Sequence, residues 1–332
     1  MTNSSTRIPR CEVVGLCETI HASGPLPVFG ARVLGLFLCV RLTLTYLRHN
    51  LPQELLAELY GVWQATVSRV IGAYTPLIAQ ALRASVPTVE DLDPTAQLII
   101  DGTLLQCWSW KDHPELYSGK HKTTGLNVQV ACTLSGTLAW VSDPQDGCTH
   151  DAQALRRSGL LDVPATDLPD GASPPRHIGD KGYIGLGMIT PKRKPAKLPL
   201  HPDDKAYNRA VNQIRYKIER VIANIKTWRV LHTGYRRPPE TFPETITAVL
   251  GLIFTYTLRP ARQSQPRSGD VGRQWQHRQA LPPPRRNWHP ALRGHRLPDA
   301  GGRPRHRARA GYDGAAAGEG RRAVDTRHEK IN

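Results

Sequence analysis

The spacing of apolar residues changes near residue 91, and this change constrains the fold more than any other feature of the sequence. Up to that point apolar residues recur at helical spacing, whereas after Asp91-Leu-Asp-Pro94 they come in short runs typical of strands. A chain of 332 residues is long enough for more than one domain. The sequence therefore predicts a lead-in over residues 1–28, an all-helical domain over residues 29–90, and an α/β domain over residues 95–258.

The N-terminal part follows a pattern of helix, glycine turn and helix. Gly30 to Arg48 carries one apolar face, Asn50 can cap a second helix that stops at Gly61, and Ala65 to Tyr74 resumes the helical period. This is the spacing of a helix-turn-helix, whose second helix enters the major groove of DNA. The exposed polar candidates for contacts with bases or phosphates are Gln64, Thr66, Ser68 and Arg69. A helical hairpin that only packs against its neighbours is the alternative.

The second part alternates predicted strands and helices. Buried strands are indicated at Leu98–Leu105 and His177–Asp180, and a β-hairpin is indicated around Ser135-Gly136. Helices are indicated at Thr149–Leu161 and from about Asp203 to Thr227. This order predicts an α/β fold in which helices flank a sheet.

Acidic residues stand where burial would cost free energy without a counter-ion. Asp101 ends an apolar run, and Asp180 follows His177-Ile-Gly in a second one. On the long helix, at about 100° per residue, Arg215, Glu219 and Lys226 form one polar row that borders an apolar stripe. Two divalent ions can activate an attacking oxygen and neutralise a leaving oxygen, and carboxylates are ligands that suit Mg²⁺.

The acidic motifs resemble those of the bacterial insertion-sequence transposases of the DDE superfamily. The similarity extends over residues 30–258, and Asn212 stands where the family usually has tyrosine. The segments that carry it are Asp101-Gly-Thr, Gly179-Asp-Lys-Gly-Tyr183, Asn212-x-x-Arg215-x-x-x-Glu219 with Lys226, Tyr117 to Gln129, and Gly147-Cys-Thr-His-Asp151. The predicted helix-turn-helix also resembles the one found ahead of this domain, but Trp63 replaces a capping serine or threonine. That helix start is therefore expected to lack a cap worth about 1 kcal/mol.

The resemblance implies a fold and a chemistry. It implies a ribonuclease H-like mixed sheet flanked by helices, in which Asp101, Asp180 and Glu219 are catalytic and bind two Mg²⁺ ions that Mn²⁺ can replace. Arg215 and Lys226 would position DNA. The remaining motif residues, His150 and Asp151, would have either a structural role or a role in supporting the metal ligands. The partners implied are double-stranded DNA of the transposon ends and of the target, and a second copy of the chain in a homodimer or larger assembly on DNA.

Two other functions fit the same residues. One is a ribonuclease H-like nuclease that cuts DNA without joining it, because a fold does not fix a reaction. The other is a catalytically inactive or domesticated DNA-binding protein, against which the retention of all three acids argues. A strand-transfer assay distinguishes such a nuclease from a transposase. Metal-dependent nicking of DNA distinguishes an active enzyme from an inactive DNA-binding protein.

The charge of the chain is unevenly distributed. Lys and Arg outnumber Asp and Glu by 44 to 28, a net charge of +16, which favours nucleic acid over membrane as a partner. The segment Arg259–Asn332 holds sixteen Arg and little aliphatic periodicity, so we expect a disordered tail, or an extension read in a shifted frame. The six cysteines lack metal-binding spacing, and no secretion segment is evident. These features predict a cytoplasmic protein without a membrane partner.

Overall fold

A computed structural model describes residues 5–27, 31–108, 111–162, 164–169, 171 and 173–257. All of these residues belong to one of the two units into which the chain divides, Met1–Ala280. The tail expected over residues 259–332 lies outside the described residues.

Four helices form the N-terminal part: α1 (Arg10–Ala22), α2 (Ala31–His49), α3 (Gln53–Tyr60) and α4 (Gln64–Leu82). Helix α1 falls in the segment expected only to lead into the fold, and it buries Val13, Leu16 and Ile20 at helical spacing. Helix α2 bends at Gly35, whose backbone adopts a positive φ of 69°, a conformation that glycine adopts without steric cost. The four helices pack against one another.

The predicted turn between α3 and α4 is present. Gly61 ends α3 in the left-handed conformation, and Trp63 occupies the N-cap of α4 without a side-chain capping hydrogen bond, as expected. The expected cap at Asn50 is wrong, because Pro52 occupies the N-cap of α3. The Asn50 amide instead donates hydrogen bonds to Thr233 Oγ1 and to the Gly234 carbonyl, at 2.8 and 3.1 Å.

The sheet is organised around its longest strand. It contains β1 (Leu98–Gln106), β2 (Tyr117–Ser118), β3 (Thr123–Thr133), β4 (Leu138–Val141) and β5 (Gln145–Asp146). Strand β3 pairs antiparallel with each of the other four. The hairpin predicted around Ser135-Gly136 joins β3 to β4, and Gly136 has a positive φ of 91° in its turn. Ile178 adds parallel bridges to Ile99 and Ile189, so the strand predicted at His177–Asp180 is a short bridge in a mixed sheet.

The two faces of the sheet receive different helices. Because side chains alternate along a strand, Ile99, Asp101 and Leu105 share one face of β1, and Leu98, Ile100 and Gly102 share the other. The long helix α6 (Pro202–Lys226) packs on β1 and β3. Ile99 and Leu105 lie in one apolar cluster with residues of α6, whereas Leu98 and Ile100 lie in a second cluster with Leu155 of α5 (Asp151–Arg157).

Helix α6 buries most of the apolar stripe that the sequence predicted. Helix α7 (Phe242–Leu252) contacts the N-terminal helices. Val211, Ile218, Val221 and Ile225 of α6 are buried, whereas Ile214, also predicted in the stripe, is 38% exposed. Helix α7 (Phe242–Leu252) packs against α4. The larger apolar cluster extends from Ile8 through α1–α4 to β1, α6 and α7, so the N-terminal helices and the sheet share one core.

Within the described ranges, no helix is both long and apolar enough to cross a bilayer. All six cysteines are free thiols, and four of them are buried. The buried ones act as small apolar residues of the core.

Candidate active site

Asp101 lies at the contact between β1 and α6. Its Oδ2 accepts a hydrogen bond from Arg215 Nη2 at 2.9 Å, and its Oδ1 accepts one from the Gly102 backbone amide at 2.9 Å. The two side chains are only 18% and 12% exposed. The strand therefore places a carboxylate on the face that α6 covers, and α6 supplies its counter-ion.

Two other aspartates act on Asp101 at this place. Burial raises the pKa of Asp101 from the ordinary 3.8 to about 6, Arg215 opposes that increase, and the negative charges of Asp180 and Asp151 add to it. Repulsion of this kind requires the other carboxylates to be near Asp101, because Coulomb interactions weaken with distance. The structure thus places Asp180 and Asp151 near Asp101.

Asp180 is held by its own turn. Its Oδ1 accepts a hydrogen bond from the Gly182 backbone amide at 2.7 Å, which caps the short helical turn Lys181–Tyr183. A Cβ atom on the preceding Gly179 would lie 2.7 Å from Met188 Cε and 2.9 Å from the Tyr183 ring. The Gly-Asp-Lys-Gly-Tyr motif thus combines a close backbone approach with a self-capped aspartate.

Asp151, the first residue of α5, approaches the same carboxylates from the other face of the sheet. Lys120 Nζ lies 2.6 Å from its Oδ2, and Asn127 Nδ2 donates to its Oδ1 at 2.9 Å. A Cβ atom on Gly102 would lie 2.5 Å from that Oδ1. Glycine after Asp101 therefore leaves the space that Asp151 occupies, which explains the Asp-Gly pair in physical terms.

A buried chain of hydrogen bonds connects Tyr183 to Asp151. The Tyr183 hydroxyl donates to Gln129 Oε1 at 2.6 Å, and Gln129 Nε2 donates to Asn127 Oδ1 at 3.1 Å. Burial raises the pKa of Tyr183 far above its ordinary value, so its hydroxyl stays protonated and remains a donor. The Tyr183 motif and Asp151 are thus connected through two amides of β3.

The remaining predicted site residues lie along α6 and at the start of α5. Glu219 is exposed one turn beyond Arg215, and Lys226 is half-buried at the last residue of the helix, where burial lowers its pKa. His150 is exposed at the N-cap of α5 and makes no capping bond. Within the described ranges, no three His, Cys, Asp or Glu side chains lie close enough to hold a metal ion.

Sequence reasoning did not identify one charged residue of the site. Lys120 belongs to a motif that carried the family resemblance, but its position beside Asp151 depends on how the turn between β2 and β3 folds over the sheet. The pKa of Lys120 is raised by Asp151, Asp180 and Asp101, against the effect of burial. The position of Lys120 near these three carboxylates is therefore known only from the structure.

The predicted DNA-contacting residues occupy the first turns of α4. Gln64 and Arg69 are exposed, whereas Thr66 and Ser68 are half-buried. Gln64 Nε2 donates to Gln53 Oε1 on α3 at 2.8 Å. The start of α4 thus presents polar groups to solvent next to a tight turn, as a recognition helix requires.

The site has the chemistry of a cation-binding centre. Asp101, Asp151 and Asp180 bring three carboxylates, and Arg215 and Lys120 bring two positive charges. Ionised, the group retains one net negative charge around hard oxygen donors, which are the ligands that Mg²⁺ prefers. Oxygen donors of this kind suit a hard divalent cation rather than a soft metal, although the described side chains do not lie close enough together to form a metal site.

Comparisons with known proteins identify the family to which the chain is similar. The family model described as DDE superfamily endonuclease matches residues 100–253, and that described as helix-turn-helix of DDE superfamily endonuclease matches residues 40–84. The chain is similar to a putative transposase for insertion sequence element IS112 of Streptomyces albus G, with 30% identity over 57% of this chain and 68% of that protein.

A second relative covers less of the chain. It is a probable transposase for insertion sequence element IS702 of Microchaete diplosiphon, with 28% identity over 45% of this chain and 52% of that protein. No solved structure matches the chain.

Proposed function

The chain belongs to the insertion-sequence transposases of the DDE superfamily, and from this premise we propose that it binds the ends of an insertion sequence and catalyses metal-dependent cleavage and transfer of DNA strands. The observation that carries the proposal is the largely buried ion pair of Asp101 with Arg215, near which Asp180 and Asp151 add further negative charge. Carboxylates gathered in this way are costly without a cation.

We propose that Asp101, Asp180 and Glu219 hold two Mg²⁺ ions, which Mn²⁺ can replace. When bound, such ions supply an activated nucleophilic oxygen and neutralise charge on the leaving oxygen. The helical row of α6 supports the role of Glu219, since it follows Arg215 by one turn and Arg215 touches Asp101.

The chain's own residues would orient the reacting groups. Arg215 holds the Asp101 carboxylate in one orientation through a charged hydrogen bond, while Lys120 and Asn127 do the same for Asp151. The start of α4, with Gln64 and Arg69 exposed, would bind the element's end in the major groove. Lys226 would contact a DNA phosphate beside the site.

A ribonuclease H-like architecture is part of the same proposal. A mixed sheet with α5 and α6 against opposite apolar clusters supports it. We also propose a cytoplasmic protein that acts as a homodimer or larger assembly, because two ends of an element must be brought together. The test of this last point is the mass of the complex with two labelled DNA ends.

The test of the chemistry compares Asp101→Asn with Asp162→Asn, an exposed aspartate, on a duplex that carries the DNA flanking the gene. With Mg²⁺ or Mn²⁺ the unaltered chain and Asp162→Asn should nick the duplex and join it to a plasmid, and Asp101→Asn should do neither. Nicking without joining would indicate a nuclease, and equal nicking by Asp101→Asn would exclude the proposed site.

A further inference from the structure

A group of cations lies where the end of α6 meets the end of α2. Lys226 ends α6, the short helical turn Arg229–Leu231 follows, and His232 N donates to the Arg229 carbonyl at 2.9 Å. From α2, Arg48 Nη1 donates to Thr227 Oγ1 at 2.7 Å, and its guanidinium lies 5.4 Å from the centre of the Trp228 ring. We call Arg7, Arg48, Lys226, Arg229 and His232 the cation row.

In the part of the chain that the structure describes, no carboxylate is paired with this row. The sequence has no acidic residue between Glu219 and Glu240. Among the side chains that the structure describes, no member of the row forms an ion pair with an aspartate or glutamate. Arg48 is nevertheless only 8% exposed, and its partners are a hydroxyl and an aromatic ring.

The members of the row act on one another as like charges. Besides burial, Arg7 and Arg229 lower the pKa of Arg48. Burial lowers the pKa of His232, and the positive charges of Lys226 and Arg229 lower it further. Repulsion between clustered cations costs free energy in the folded protein unless an anion lies among them.

The row leads to the carboxylates. His121, in the turn between β2 and β3, is close enough to Lys226, Lys120 and Asp151 for each to shift its pKa, although burial is the larger cause of its lowering. At the other end Arg48 belongs to α2, the helix that precedes and packs on the helix-turn-helix. Consecutive charged neighbours therefore connect the DNA-reading helices to the three aspartates.

We propose that the cation row is a binding track for the phosphates of one DNA strand between the recognition helix and the carboxylate site. The proposal rests on the proposed function, since DNA is the polyanion that such an enzyme holds. A line of uncompensated cations suits a backbone of regularly spaced phosphates better than a single small anion.

The experiment uses the full chain in EDTA, so that no strand is cut. Binding to a fluorescent duplex of about 30 base pairs and mixed sequence is measured by anisotropy over a range of NaCl concentrations. The variant Arg7→Gln/Arg229→Gln removes two exposed cations that flank Arg48. The matched control, Arg156→Gln/Arg157→Gln, removes two exposed cations from α5.

The expected result is a slope of log K against log salt that is less negative by about 2 for the first variant, because each phosphate contact contributes about −0.9. The control should keep the original slope. The first variant should also melt at the same or a higher temperature, because it relieves repulsion; a lower melting temperature would indicate a structural role instead.

The outcomes separate this inference from the proposed function. Binding by the unaltered chain with an unchanged slope in Arg7→Gln/Arg229→Gln would overturn the inference alone. Equal changes of slope in both variants would show diffuse attraction without a track and would also overturn it. Failure of the unaltered chain to bind any duplex, including one from the DNA flanking the gene, would overturn both.

Discussion

Lys120 places a positive charge against carboxylates that we propose as part of a metal site. Its ammonium contacts Asp151 at 2.6 Å and responds to the charges of Asp180 and Asp101. We therefore predict that Lys120→Met binds Mn²⁺ more tightly, by about threefold to tenfold, because a nearby cation no longer repels the metal. Calorimetric titration of the DNA-free protein measures this directly.

The control for Lys120 is two residues away. Lys122, in the same turn, is exposed and forms no ion pair among the described residues. Lys122→Met should bind Mn²⁺ with the affinity of the unaltered chain. Equal tightening in both variants would indicate a general charge effect, and weaker binding in Lys120→Met would contradict the prediction.

His177 ties the bridge before Asp180 to β1. Its buried ring accepts a hydrogen bond from the Leu98 amide at Nδ1, 3.2 Å away, and burial lowers its pKa below the ordinary 6.5. The folded protein therefore keeps this ring neutral at a pH where the unfolded chain already binds a proton. The free energy of unfolding should decrease as pH falls below 6.5, by up to about 1.4 kcal/mol per pH unit.

Urea unfolding at pH values between 7.5 and 5 tests the His177 prediction. His177→Asn retains an acceptor without a titrating ring and should lose less stability over this interval. His150→Gln, which alters an exposed histidine, should keep the pH dependence of the unaltered chain. The prediction fails if His177→Asn and the unaltered chain lose stability in parallel.

Helix α7 is held against the end of α4 at close range. A Cβ atom on Gly251 would lie 2.6 Å from Leu82 Cβ, whereas one on Gly15 in α1 would meet no atom within 4 Å. Gly251→Ala should therefore lower the free energy of unfolding by about 1–3 kcal/mol through overpacking. Gly15→Ala, in the interior of α1, should raise it by about 0.5–1 kcal/mol. Thermal melts of both variants give the comparison, and a stabilised Gly251→Ala would exclude the tight contact.

Elements with a strong local pattern could be predicted from the sequence. Strand β1, the hairpin of β3 and β4, and helix α6 agree with their predicted positions to within a few residues. Helix α1 was not predicted, because it starts without a capping side chain and its stability comes from packing on α2 and α4. Asn50 is a residue type that often caps a helix, but its side-chain amide donates a hydrogen bond to Thr233 instead.

In the candidate site, too, the sequence pointed only to residues with a local pattern. Charges in apolar runs pointed to Asp101 and Asp180, which need counter-ions wherever they are buried. The approach of Asp151 depends on the space beside Gly102, and the position of Lys120 depends on the turn between β2 and β3. Neither contact has a local signature, since both join residues far apart in the sequence.

The N-terminal helices and the sheet are built on one apolar cluster. The sequence predicted a domain boundary near residues 91–94, but Arg48, Asn50 and the carbonyl of Ser68 all bond to residues that follow α6. We therefore predict that residues 5–257 unfold in a single cooperative step. Urea curves from tryptophan fluorescence and from far-ultraviolet circular dichroism should coincide, and two separated midpoints would show independent domains.

The hydrogen bond from Arg237 Nη1 to the Ser68 carbonyl connects the first half of the predicted recognition helix to the body that carries Asp101. A protein joined only by a flexible tether would cut at a variable distance from the sequence it reads. Here the separation between the base pairs that are read and the bond that is cut would be a constant of the architecture, so adding residues to the connection after α4 should leave the cleavage position where it was.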